Sequence, residues 1–169
     1  MRKATCVFVT TIAVILSVTG CSFSEQRVPE ENVTPLTWEQ AKAYAQAKEL
    51  EIAGLIPPQD VVEIVQNPKG GLFRCNAEQH LWTGISTVVL APGTDATEVT
   101  KHLEEHFRTE DAFDVESWVN ITQKYRVQLL SRTTAEGYIF GEGEQGTIVI
   151  DSWSPCFTLP DGVYPGGDF

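Results

Sequence analysis

Lys124-Tyr-Arg-Val-Gln-Leu-Leu130, Gly137-Tyr-Ile-Phe140 and Gly146-Thr-Ile-Val-Ile150 follow one another with only turn residues between them. The first alternates well enough for a strand with one face buried. The other two are short and rich in β-branched and aromatic residues, as strands are. Gly141-Glu-Gly-Glu-Gln-Gly146 supplies the glycines that a tight reversal needs. That turn also matches G-x-G-x-x-G, through Gly141, Gly143 and Gly146. It leads into a strand and not a helix, so no helix N-terminus is offered to a phosphate. Three successive strands with short turns make an antiparallel meander, and this sets the sheet class.

Reading backwards from the meander, Phe113 to Val119 has no decisive pattern. Ala96 to Phe107 places Val99, Leu103 and Phe107 on one helical face, behind the capping-box spacing of Asp95-Ala-Thr-Glu98. Trp82-Thr-Gly-Ile-Ser-Thr-Val-Val-Leu-Ala91 reads as a strand ended by Pro92-Gly93. Leu72-Phe-Arg-Cys75 reads as another, after the turn Asn67-Pro-Lys-Gly-Gly71. Val61-Val-Glu-Ile-Val-Gln66 is a strand or an extended lead-in, with helix as the alternative. Thr37-Trp-Glu-Gln40 is a second capping box, opening a helix that Pro57-Pro58 forbids to continue. The proline- and glycine-rich tail, residues 159–169, should be irregular. The expectation is one α+β domain over residues 37–169. Its antiparallel sheet has about five strands, with two helices packed on one face.

The chain opens with two cations, Arg2 and Lys3, before about 15 apolar residues. That is shorter than the roughly 20 residues a membrane-spanning helix needs. The stretch ends in Val18-Thr19-Gly20-Cys21, which resembles the bacterial lipobox. The resemblance implies a lipoprotein signal over residues 1–20 and diacylglyceryl transfer to Cys21. It also implies an extracytoplasmic domain held to the membrane by fatty acyl chains. Residues 21–36 are polar and carry Pro29 and Pro35, and read as a flexible tether. With Cys6 lost in the signal and Cys21 lipidated, Cys75 and Cys156 remain. Two leftover cysteines in an exported domain most simply form a disulfide; no CxxC spacing points to metal or redox chemistry instead. The segments Leu72-Phe-Arg-Cys75, Trp82-Thr-Gly84, Leu90-Ala-Pro-Gly93 and Ser154-Pro-Cys156-Phe157 resemble small actinobacterial lipoproteins of uncharacterised function. That resemblance implies an envelope location and the same bridge, and it transfers no functional residue.

The chain carries 12 Lys and Arg against 23 Asp and Glu, a net charge of −11. Losing Arg2 and Lys3 with the signal leaves 10 against 23, or −13. An acidic surface disfavours nucleic acid, which needs a basic footprint.

No catalytic set, cofactor motif or metal site is expected. His102-Leu-Glu-Glu-His106 has the H-x-x-E-H spacing of a zinc site, with Glu105 as base. No later helix supplies a third ligand, and both histidines lie beside the apolar face, so a solvated helix face is the plainer reading. Ser152 and Ser154 lie near Cys156, and His80 near Cys75, so a bridge would bring them into one neighbourhood; no G-x-S-x-G elbow accompanies them. Trp82 and Trp153 are expected in the core, whereas Trp38 and Trp118 are left open between core and binding surface. The terminal Gly166-Gly-Asp-Phe169 lacks any domain that would make it a motif. The function these features favour is a non-catalytic, membrane-tethered binding domain with an envelope protein as partner. A small hydrolase using a serine with His80, or a purely structural surface protein, are the alternatives.

Overall fold

Thr37 accepts a hydrogen bond from the Gln40 N–H at 3.3 Å, and the Gln40 side chain accepts from the Thr37 N–H at 2.9 Å. This capping box starts α1, Trp38–Gly54. A 3₁₀ turn at Pro58–Asp60 then leads into β1, Val61–Gln66. β2 is Gly71–Arg74 and β3 His80–Leu90. Asp95 accepts from the Thr97 and Glu98 N–H groups and starts α2, Ala96–Arg108. β4 (Phe113–Val119), β5 (Tyr125–Ser131), β6 (Gly137–Glu142) and β7 (Thr147–Trp153) follow. These elements come from a computed structural model that describes residues 35–169. The expected signal, the lipobox with Cys21 and nearly all of the tether lie outside the described residues.

The fold is α+β, with every strand pair antiparallel in the order β1-β3-β7-β6-β5-β4. β2 also pairs with β3. The two short strands share one side of β3, β2 against His80–Thr83 and β1 against Ser86–Leu90. The sheet therefore has seven strands where the sequence suggested about five. The two beyond that count are β4, undecided in the sequence, and β1, expected there as a strand or an extended lead-in with these same bounds. An edge strand has one neighbour and its apolar residues need not alternate, so its pattern is weak.

Alternate residues of the inner strands face the helices. Val88, Leu90, Val127, Leu129, Tyr138, Phe140, Ile148 and Ile150 form one core with Ile52 and Ala53 of α1 and Val99, Leu103 and Phe107 of α2. Both helices thus cover the same face, as expected. A smaller cluster gathers Trp82, Ala41, Ala45 and Phe157, with Leu36, Trp38, Leu72, Leu159 and Phe169 around it. Cys75 and Cys156 are bridged across a sequence separation of 81 residues, with Cα atoms 6.2 Å apart. The tail has no regular element, but it is tied down. Phe169 and Gly70 exchange backbone hydrogen bonds of 2.9 and 3.0 Å, and Lys69 pairs with Asp168 at 2.8 Å. Among the described residues no helix is long and apolar enough to cross a membrane.

Candidate functional site

The helix-covered side of the sheet holds three buried carboxyl groups, and each is supplied with donors. Glu49 of α1 is fully buried. Its Oε2 accepts from Ser86 Oγ at 2.5 Å and Gln66 Nε2 at 2.8 Å, and its Oε1 accepts from Ser152 Oγ. One side chain thereby joins α1 to β1, β3 and β7. Glu136 accepts from Tyr138 at 3.2 Å and Tyr44 at 3.4 Å. Burial and the neighbouring Glu136 raise the Tyr138 hydroxyl above its ordinary range. Glu104 of α2 accepts from Tyr125 at 2.6 Å and from two nitrogens of Arg108 at 2.6 and 2.9 Å. Burial pushes its carboxyl up, but the Tyr125 and Arg108 hydrogen bonds outweigh this and hold it below the ordinary range.

Among the described residues, the opposite face carries no helix. Strand alternation turns Ile85, Asp151, Ile139 and Gln128 outward in one continuous row across β3, β7, β6 and β5. The next row runs through Thr83, Trp153, Gly137 and Leu130. A Cβ on Gly137 would stand 2.4 Å from the Trp153 ring, so the indole lies flat on the sheet over a position only glycine can fill. On this face, beside β2, a cleft of about 460 Å³ opens, lined by Asn67, Lys69, Phe73, Thr83, Asp151 and Trp153 among others. Phe73 is 63% exposed at its edge.

Asp151 sits in this cleft half-buried. Burial raises its carboxyl above the ordinary range; the Arg126 guanidinium opposes this and Glu49, across the sheet, adds to it. No hydrogen bond from the described residues reaches this carboxylate. A desolvated carboxylate without a protein donor is free to accept from a ligand, beside one exposed aromatic ring and one half-buried one. Aromatic faces and a few aimed polar groups are what binding clefts are made of.

The other residues singled out from the sequence fall elsewhere. His102 and His106 are exposed on α2, beside the apolar face as expected, and His106 Nε2 lies 3.1 Å from Glu110. Both border a crevice of about 330 Å³ between α2 and the segment Leu55–Asp60. Among the described residues no group of three His, Cys, Asp or Glu side chains is placed to hold a metal ion. Ser154 Oγ accepts from the Trp82 N–H at 2.9 Å and Ser152 donates to Glu49. Neither serine hydrogen-bonds to His80, whose buried Nδ1 has no partner among the described residues. The Gly141–Gly146 segment is the end of β6 and the turn into β7, with Lys124 donating to the Gly143 carbonyl. Trp82 is fully buried, as expected, but Trp153 is not in the core; it lies half-buried on the open face. Trp38 stacks edge-on against Phe169, and Trp118 is 38% exposed.

Glu49, Phe73 and Asp151 were not singled out from the sequence. Glu49 had a signal, because it continues the stripe Ala41, Ala45 at four-residue spacing. Asp151 follows directly on the alternating run Thr147-Ile-Val-Ile150, at a position that alternation turns away from the core. Its environment depends on Phe73, 78 residues earlier in the chain. No protein-family model matches this chain, and neither a curated protein nor a solved structure matches it.

Proposed function

We propose that this chain is a lipid-anchored, non-catalytic binding domain of the bacterial envelope, and that it engages its partner through the cleft around Asp151. The observation that carries the binding reading is Asp151 itself. It is a half-buried carboxylate that the described residues leave without a donor, at the centre of the face the helices leave uncovered. The lipobox and the polar tether support the anchoring. Two or three acyl chains on Cys21 hold firmly where one holds marginally, and residues 22–36 give the domain reach from the membrane. The acidic balance of the chain favours a partner other than nucleic acid.

The test is crosslinking in cells with the tagged full chain, followed by recovery of whatever is attached. Three forms are compared: wild type, Cys21→Ala and Asp151→Asn. The expected result is a stoichiometric envelope partner on wild type, reduced for Cys21→Ala and lost for Asp151→Asn. Equal capture by Asp151→Asn overturns the cleft as the binding site. Recovery of wild type outside the membrane fraction overturns the anchor.

A further inference from the structure

The strand pairing lines up three side chains of the cleft. Phe73 pairs with Leu81, Trp153 with Thr83 and Asp151 with Ile85. Leu81, Thr83 and Ile85 are alternate residues of β3, so the three occupy successive rows of one face, with rows about 7 Å apart. All three line the cleft. Trp153 is the middle one, seated flat over Gly137. The cations nearest Asp151 are engaged elsewhere. Lys69 pairs with Asp168 at 2.8 Å, and Arg126 donates to the Gly141 carbonyl at 3.4 Å. The charge of Arg126 reaches Asp151 through space, with no hydrogen bond between them.

We infer that the cleft is a receptor for an arginine side chain of the partner, which pairs its guanidinium with Asp151 and stacks it on Trp153. The inference rests on the binding role proposed above and names the group that the site takes. A guanidinium is flat and permanently charged, and its fork of donors fits both oxygens of one carboxylate. It also stacks on aromatic faces. Asp151 and Trp153 stand two residues apart on the same strand face, so one such group can meet both. The apolar stem of arginine needs cover, and Phe73 offers its exposed ring for this at the edge of the cleft. A neutral ligand leaves the partly desolvated carboxylate without a counter-charge, and an anion repels it. Lysine fits less well, because a compact ammonium has no plane to stack. Charge complementarity extends beyond the cleft. The chain carries a net charge of −11, which steers a basic partner towards it. Lys69 is neutralised by Asp168, so Arg126 is the one nearby cation that opposes the guest.

The experiment is an NMR titration of the full chain in a mild detergent with three blocked tripeptides. These carry arginine, lysine or citrulline, the neutral isostere of arginine, between two glycines. The signals followed are the Trp153 indole N–H and the Asp151 backbone N–H. The arginine peptide should shift both, and its affinity should fall as salt rises. The citrulline peptide on wild type, and the arginine peptide on Asp151→Asn, should bind at least about ten-fold more weakly, as the loss of a charged hydrogen-bonded pair requires. Phe73→Ser, at an exposed position, should keep its melting temperature and weaken binding a few-fold. Equal binding of arginine and citrulline overturns the inference. So does an affinity unchanged in Asp151→Asn, or tighter binding of the lysine peptide. N-acetylglucosamine moving these signals where the arginine peptide does not overturns it in favour of a sugar. No response to the arginine peptide overturns it too; if the crosslinked partner is still lost in Asp151→Asn, the binding role stands and only the arginine is wrong. Arginine binding through Asp151, with no protein recovered in cells, supports the receptor and overturns the envelope-protein reading.

Discussion

Glu49 and Asp151 lie on opposite sides of the same two strands and are treated in opposite ways. Glu49 accepts hydrogen bonds from Ser86, Ser152 and Gln66, and it is sealed under α1. Asp151 is one residue from Ser152, half out of water, and has only the field of Arg126 to favour its charge. A fold that needs a buried carboxyl provides for it, as this one does three times over on the helix side. The contrast separates polar groups that hold the domain together from one that the fold leaves to solvent or to a ligand.

The disulfide holds one wall of the cleft, since Cys75 directly follows β2, which carries Phe73, and Cys156 lies just past β7. Replacing both cysteines by serine has the largest expected effect. Closing a loop of this length stabilises by about 4.5 kcal/mol in the chain-entropy model. Urea unfolding checks it, and a loss below about 1 kcal/mol would mean that the tail contacts already fix β2 in place.

Glu49→Leu comes next. It leaves the two buried hydroxyls of Ser86 and Ser152 without an acceptor, while the Gln66 amide keeps the Gln46 carbonyl, at a cost of about 3 kcal/mol. Glu49→Gln should cost less, because serine hydroxyls can turn to accept from the amide. If leucine is tolerated as well as glutamine, Glu49 is not the pin described here, and the contrast with Asp151 fails.

Glu104 tests the same rule by pH. Its carboxyl is held below its usual value of 4.5. The stability it adds is complete above that value and is lost as pH falls through the lower folded one. Tyr125→Phe should cost about 1–2 kcal/mol at pH 7, and the gap from wild type should close in acid. Thermal melts at pH 7 and pH 3 measure this; a gap that is constant with pH would assign the loss to packing alone.

The sequence made the helices legible because caps and periodicity are local signals. Thr37 and Asp95 both cap as their spacing indicated. The inner strands were legible because burial of one face imposes alternation. β4 was not, since half its neighbours are missing, and β1 was legible only as a strand or an extended lead-in. The bridge was legible by counting cysteines, and its position shows why Ser154 and His80 look like neighbours in the sequence without being hydrogen-bonded in the fold. The cleft was illegible for a different reason. Its walls come from β2, β3 and β7, and no single segment shows that Trp153 lies over Gly137 or that Asp151 lacks a donor.

Asp151→Asn is the smallest of these effects and the most discriminating, because its sign is reversed. A carboxyl raised by burial disfavours its charged form, so Asp151 costs stability at neutral pH, and the cost fades as pH falls through the raised folded value. Asparagine keeps the shape and removes the charge. The variant should melt slightly higher than wild type at pH 7, by about 2 °C, with no advantage in acid. It should also lose the crosslinked partner. A residue that the fold would be more stable without, and that binding requires, is what a stability–function trade-off produces. If Asp151→Asn melts lower than wild type at pH 7, the carboxylate is being stabilised within the fold, and the open face has to be read like the covered one.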